Sequence, residues 1–327
     1  MAVASITGVE MSAVVRVLSL LATFVLCLGC TVSRAHAAQS RAPLSPGAHD
    51  AVVNGVRLHY EVAGSGPLLV VQAPGWGVGS SYLQKGLSVL QASFTVITYD
   101  PRNSGKSDRV RDPASLSDMQ MVEDLEGLRQ AWDVGNFALL GHSNGGAIAL
   151  AYAESYPGRV TKLVLAGTEG PDLLAGSDHG AQDRRRARDP RFADAYRHVD
   201  DATESDDAFL QNLKQTLPLY LSDPAQSLAD VAATLPDSVT VSSTAVYQMR
   251  PGKPRLPPLD ATDRVHVPVL LVVGEDDWPC TPGPSRRIHA RIKDSVLHVY
   301  PHAGHFTWIE RPDLFFPDVT TFLRHAS

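Results

Sequence analysis

Gly141-His142-Ser143-Asn144-Gly145, followed directly by Gly146, places a serine among glycines in the pattern Gly-x-Ser-x-Gly. The apolar run Phe137–Leu140 leads into it and a helical stretch, Gly146–Tyr156, leaves it. A serine on a sharp strand-to-helix turn has its hydroxyl lifted clear of the sheet. Glycines on either side remove the Cβ atoms that would strike the adjoining strand and helix. The N–H of Asn144, at the start of that helix, then points toward charge developing on an attacked carbonyl oxygen. The chemistry suggested is nucleophilic attack by Ser143, with a plain glycine-rich turn as the bland alternative.

A serine hydroxyl needs a base, and the base needs an orienting group. On a parallel sheet, acids just past a strand end lie at the functional edge. The run Val269–Val273 ends in Gly274-Glu275-Asp276-Asp277-Trp278, and Val296–Val299 is followed by Pro301-His302-Ala303-Gly304-His305. His305 is the expected base and Asp277 its acid, in the order Ser, Asp, His. Asp276 and Glu169 compete for the acid, and His302 competes for the base. His298, His302 and His305 also invite a metal reading, but Pro301 and Gly304 make the segment a strand-to-loop passage, so no metal is expected. The reaction as written needs no cofactor.

The elements that must position these groups alternate between strand and helix. Asn54-Gly55 between Ala51–Val53 and Val56–Val62 is a hairpin signal. Leu68–Val71, Phe94–Tyr99, Phe137–Leu140, Leu163–Leu165, Val269–Val273 and Val296–Val299 read as buried strands, because continuous apolar runs mark sheets covered on both faces. Helices are expected over Ser81–Leu90, over Ser117–Trp132 with Ser117 as N-cap, and over Ala147–Tyr156. The alternation predicts an α/β fold with a mostly parallel sheet flanked by helices and an antiparallel hairpin at one edge. From 170 to 262 no parallel-strand run appears, and a helical insertion is expected, with a helical piece near Asp207–Leu217 and a Pro-rich exit at Pro251–Pro258.

These residues together resemble the α/β-hydrolase superfamily, and look most like its capped members near proline iminopeptidases and epoxide hydrolases. The resemblance runs piecewise from about Val52 to the C-terminus. It includes Tyr99-Asp100-Pro101-Arg102-Asn103-Ser104-Gly105-Lys106-Ser107-Asp108, similar to the family's Tyr-Asp-x-Arg-Gly-x-Gly-x-Ser-Asp loop, together with the elbow, Gly274–Asp277 and Gly304-His305. It implies the α/β-hydrolase fold, with a core at 51–169 and 263–327 and a helical cap at 170–262. The first oxyanion loop departs from the family's His-Gly, reading Val71-Gln72-Ala73-Pro74-Gly75-Trp76. Proline has no N–H, so Ala73 is the expected second oxyanion donor beside Asn144. Asn103 stands where the family has glycine, and asparagine tolerates left-handed backbone. Serine at 143 speaks against epoxide hydrolase and dehalogenase chemistry, which uses aspartate there.

Trp76, Trp278 and Trp308 lie on the expected catalytic loops and suggest an aromatic wall for an apolar substrate, with packing beneath the loops as the alternative. Trp132, at a helix end, is expected in the core. Arg184–Arg186 with Arg188 and Arg191 read as a solvated helix face rather than an anion site. The reading is a serine hydrolase acting on an ester or lactone of a small molecule. An aminopeptidase or amidase of proline iminopeptidase type is second, and a non-catalytic ligand-binding protein on the same fold is the rival from another class.

The chain has 327 residues, 44% hydrophobic and 20% charged, with net charge −6 and both signs interspersed. That is enough for a sizeable core. No basic face suggests a nucleic-acid partner. Met11, Arg16, the apolar Val17–Cys30 and Ala35-His36-Ala37 read as a secretory signal peptide at 1–37, followed by a linker at 38–50. The apolar core is short for a membrane span. An uncleaved anchor and lipid attachment at Cys30 are the alternatives. The expected location is secreted or periplasmic, without stable membrane insertion once the leader is removed. Two of the three cysteines fall in that leader, so only Cys280 would remain, without an internal disulfide partner. Nothing in the sequence speaks to oligomeric state.

Overall fold

The computed structural model describes residues 44–75, 77–110, 112–168, 179–201, 205–235, 256 and 259–325. The expected leader at 1–37, Trp76, Glu169 and most of the Pro-rich exit lie outside the described residues.

Eight strands form one sheet in the order β1-β2-β4-β3-β5-β6-β7-β8. They are β1 (Gly47–Val53), β2 (Val56–Gly64), β3 (Leu68–Gln72), β4 (Thr95–Tyr99), β5 (Phe137–His142), β6 (Val160–Ala166), β7 (Val269–Gly274) and β8 (Ser295–Tyr300). β1 pairs antiparallel with β2, and β2 with β4, while every pairing from β4 to β8 is parallel. The hairpin turns at Asn54 and Gly55, with φ of 49° and 76°, as a two-residue turn matching strand twist requires. Gly47–Asp50, expected in the linker, instead belong to β1, with Gly47 opposite Val62. An edge strand is recruited by backbone pairing, which side-chain pattern does not report.

Both faces of the sheet are covered, which explains the continuous apolar runs. Within β3, Val70 packs on one side with Tyr60, Leu125 and Ile148, whereas Leu69 and Val71 pack on the other with Leu83, Phe315 and Val319. The first face is closed by the helices Asp118–Trp132, Asn144–Ser155 and Pro282–Arg291, and the second by Ser81–Gly86 and Pro312–Arg324. Ser117 caps its helix, its hydroxyl accepting from the Gln120 N–H at 3.2 Å. Trp132 is buried in the first cluster. Between β6 and β7 the described residues form the helices His179–Ala187, Ala193–Tyr196, Asp206–Thr216 and Pro224–Thr234, with no strand among them. No helix among the described residues is long and apolar enough to cross a membrane.

The loop after β4 wraps around a buried carboxylate. Asp100 accepts from the Ser80 N–H and hydroxyl at 2.6 and 2.8 Å and from the Lys106 N–H at 2.8 Å. A Cβ on Gly105 would sit 2.3 Å from Asp100 Oδ2, and Asn103 takes φ 60°, the left-handed conformation its side chain tolerates. Arg102 then reaches Asp124 with two 2.6 Å bonds, both side chains buried. Removing one partner of such a pair leaves a buried charge uncompensated. Asp124→Ala is therefore expected to cost ~3–5 kcal/mol of folding stability in urea denaturation. A loss below about 1 kcal/mol would contradict a structural role for this pair.

Candidate active site

Parallel register brings the carboxyl ends of the central strands to one edge. Gln72 lies beside Gly141, His142 beside Ala166, and Gly274 beside Tyr300. The loops holding Ala73, Ser143, Asp277 and His305 therefore leave the sheet side by side, as expected for a functional edge.

Ser143 is the turn between β5 and the helix Asn144–Ser155. It adopts φ 58°, ψ −131°, a conformation costing about 1–3 kcal/mol for a residue other than glycine. The neighbouring glycines are needed for close approach. A Cβ on Gly141 would lie 2.4 Å from the Gly145 carbonyl, one on Gly145 2.4 Å from the Gln72 carbonyl, and one on Gly146 2.2 Å from Thr168 Oγ1. The Ser143 N–H is held by the Ala166 carbonyl at 3.1 Å. The Asn144 side chain donates to the Pro74 carbonyl at 2.9 Å and to Asp118 at 3.0 Å. The start of the helix is thus pinned to the loop carrying Ala73. The first N–H groups of a helix have no intrahelical acceptor, so Asn144 offers a donor beside Ser143.

Asp277 and His305 form a buried pair, 0% and 3% exposed. His305 Nδ1 stands 3.1 and 3.0 Å from the two Asp277 oxygens. A carboxylate facing Nδ1 places the ring proton there and leaves the Nε2 lone pair free. The Cys280 N–H donates to Asp277 Oδ1 at 2.9 Å. Asp276 is engaged elsewhere, with Arg185 at 2.5 Å and the Ser222 hydroxyl at 2.7 Å. The structure therefore sets Asp277, not Asp276, against the imidazole. His302 is exposed on a turn at φ 55°. His298 Nδ1 pairs with Asp318 at 2.6 Å. The three histidines part ways and share no ligand geometry.

The Ser143 hydroxyl is turned toward the buried Cys280 thiol, 4.0 Å away, and not into a hydrogen bond with His305. Ser143 and His305 line the same cavity of ≈ 170 Å³. Its remaining walls are mostly apolar, with Val78, Phe306 and Pro279 from the core and Phe209, Leu213 and Leu235 from the insertion. The expected tryptophan wall is corrected. Trp278 donates to Asp183 at 3.0 Å and packs against Tyr196 and Tyr220, and Trp308 is buried against His142, Phe306 and Phe315. Neither lines the cavity, because their rings fill gaps behind the loops; Trp76 is outside the described residues. Of the expected arginine face, Arg186 is buried, donating to the Leu221 carbonyl at 2.7 Å with its guanidinium over Phe192.

Two residues with no sequence signal support His305. His142 Nε2 lies 3.1 Å from the His305 carbonyl, and Nδ1 lies 2.7 Å from Tyr82 Oη. Burial, then the nearby His305, hold the His142 pKa well below its ordinary value. A carbonyl only accepts, so neutral His142 donates through Nε2 and accepts the Tyr82 hydroxyl at Nδ1. The second is Glu310, which accepts the Gly304 N–H at 2.7 Å.

Gly145→Ala is expected to cost ~1–3 kcal/mol in thermal or urea unfolding, since the Gln72 backbone cannot yield easily. Gly135→Ala, with nothing within 4 Å of its Cβ, is expected to stay within about 0.5 kcal/mol. Equal effects at both positions would refute the crowding at the elbow.

Residues 68–312 match the family model described as alpha/beta hydrolase fold. The chain is 29% identical over 281 residues to the proline iminopeptidase PfmaB of Pestalotiopsis fici, covering 83% of this chain and 97% of that protein. It is 28% identical over 298 residues to the 2-hydroxy-6-oxononadienedioate/2-hydroxy-6-oxononatrienedioate hydrolase of Paraburkholderia xenovorans, covering 83% and 91%. The crystal structure of the esterase RhEst1 from a Rhodococcus species superposes with a TM-score of 0.67 at 21% identity, covering 86% and 100%. The eight-stranded sheet, the serine elbow at its carboxyl edge and the match over 68–312 make this chain a member of the alpha/beta hydrolase fold family.

Proposed function

We propose that this chain is a serine hydrolase that cleaves an ester or lactone bond of a small, apolar substrate through an acyl-enzyme. The observation that carries the reading is the buried Asp277–His305 pair facing the cavity that Ser143 also lines. The Ser143 hydroxyl swings from Cys280 toward His305, gives its proton to Nε2 and bonds to the acyl carbon. The carbonyl oxygen takes the negative charge, stabilised by the N–H groups of Asn144 and Ala73. As the tetrahedral adduct collapses, the C–O bond to the leaving alcohol breaks and the imidazolium protonates it. Water then adds by the same route and frees the acid. Asp277 keeps Nδ1 protonated and stabilises the imidazolium. None of these steps calls on a metal or cofactor.

The apolar walls favour an acyl group without charge, because an ion moved among Phe209, Leu213 and Phe306 would lose its hydration without a counter-charge. The helices that roof this cavity serve as a cap that shapes substrate choice. A second reading, an aminopeptidase of proline iminopeptidase type, is favoured by the 29% identity over nearly the whole length of one such protein. The leader at 1–37 directs the chain out of the cytoplasm and is removed after Ala37.

A fluorophosphonate probe is expected to label wild type and not Ser143→Ala, and equal labelling would refute the nucleophile. Ester turnover should fall by ~10⁴-fold or more in Ser143→Ala and by about 10⁴-fold in Asp277→Asn. A panel of p-nitrophenyl esters, lactones and aminoacyl anilides separates the two readings: fastest turnover of a proline anilide would favour the peptidase. For the leader, N-terminal sequencing of exported protein should begin at Ala38. Full-length protein retained in the membrane would overturn cleavage.

A further inference from the structure

The segment Tyr220–Ser222 of the insertion lies directly on the loop that carries His305. The His305 N–H donates to the Tyr220 carbonyl at 2.7 Å. A Cβ on Gly304 would meet that same carbonyl at 2.2 Å, so the approach tolerates only glycine. Arg186 holds the Leu221 carbonyl at 2.7 Å, and the Ser222 hydroxyl holds Asp276 at 2.7 Å.

Glu310 joins the two sides of this contact. One carboxylate oxygen accepts the Ser222 N–H at 2.7 Å, and the other accepts the Gly304 N–H at 2.7 Å. It belongs to the short helix Thr307–Glu310, anchored by the buried Trp308. The carboxylate touches neither Ser143 nor the imidazole. It acts on the backbone one residue before His305, the same backbone that His142 grips at the His305 carbonyl.

We infer that Glu310 is a positioning residue that ties the insertion to the base, and that the tie holds only while its carboxylate is ionised. The inference rests on His305 being the base of the proposed reaction. An ionised carboxylate accepts on both oxygens, as two short backbone N–H donors require. Protonation turns one oxygen into a donor facing an N–H, so one arm of the tie is lost. The His305 backbone is then held from the insertion by the Tyr220 carbonyl alone.

The charged and titratable groups around Glu310 are Asp277 on the loop after β7, Arg186 on the helix His179–Ala187, and His305 one residue beyond Gly304. Burial raises the Glu310 pKa to about 7; the Ser222 and Gly304 N–H bonds oppose the rise, Asp277 adds to it, and Arg186 lowers it. Below that value the tie is open, and above it the tie is closed. Activity should therefore fall as pH drops through about 7, where Glu310 gains its proton, by the amount that the closed tie contributes.

The test has two arms. In the first, kcat/KM for a p-nitrophenyl ester is followed against pH. The ratio of wild-type to Glu310→Gln kcat/KM should be roughly ten above neutrality and fall toward one below it, with a midpoint near 7. The variant should also lose roughly tenfold in kcat above neutrality while KM stays within about twofold, and Glu310→Asp should restore part of the loss. A ratio that does not change with pH would overturn the inference, and the second arm decides it on wild type alone should the variant fail to fold. In the second arm, full-length protein is labelled with [¹⁵N]glycine and [¹⁵N]serine. The Gly304 and Ser222 amide resonances should move together with one midpoint near 7 in wild type and lose that shared titration in Glu310→Gln. Independent or absent titration would also overturn it. This arm needs no turnover, so failure of the proposed reaction, read by Ser143→Ala, is distinguishable from failure of the tie.

Discussion

The structure depends on one strained residue. Ser143 passes from strand to helix at φ 58°, ψ −131°, a conformation that local energetics alone would abandon. It persists because its surroundings leave no room for another. Ala166 holds its N–H, the Gly145 backbone presses on Gln72, and Gly146 packs on Thr168. The contacts come from the ends of β3 and β6, the two strands that flank β5, so the parallel register enforces the turn. The same crowding sets the first N–H groups of the helix beside the Ala73 loop, where developing negative charge could be met.

The second requirement is placing an imidazole over that turn. His305 follows a strand end on a loop, the kind of segment that moves unless tied. Its side chain meets Asp277, its N–H meets Tyr220, its carbonyl meets His142, and the preceding N–H meets Glu310. Four elements thus converge on two residues. Two of the ties come from buried ionisable groups whose pKa values burial displaces in opposite senses, His142 downward and Glu310 upward. Desolvation penalises the charged form in both cases, so the neutral His142 serves as a fixed spacer while Glu310 stays poised near neutrality. The insertion contributes both apolar cavity walls, Phe209, Leu213 and Leu235, and a backbone bond to His305. The segment Tyr220–Ser222 thus touches both the cavity, through Tyr220, and the His305 loop.

Much of this was legible in the sequence, where the rule acts over a few residues. Asn54-Gly55 specifies its hairpin through two left-handed residues, Ser117 specifies a helix start through one hydroxyl, and Gly141 to Gly146 specify an elbow through missing Cβ atoms. Apolar runs such as Val269–Val273 announce strands buried on both faces, hence a mostly parallel sheet. The order of Ser143, Asp277 and His305 follows from which strand ends carry them. What escaped depends on partners distant in the chain. Gly47–Asp50 looked like linker and joined β1 because Val62 and its neighbours offered an unpaired edge. Trp278 and Trp308 sat on the expected loops, yet their rings turned away to fill space behind them.

Local chemistry therefore determined the family of folds, the serine turn and the loops that would carry acid and base, because glycine freedom, capping and apolar periodicity act within one turn or strand. The tertiary structure alone decided that Asp277 rather than Asp276 faces the imidazole, since one residue of turn geometry sends the other toward Arg185 and Ser222. It alone assigned the cavity walls to Phe209, Leu213 and Phe306, and it alone brought Glu310 between Ser222 and Gly304. Those choices rest on sheet register and on how the insertion docks, and side-chain identity read along the chain contains neither.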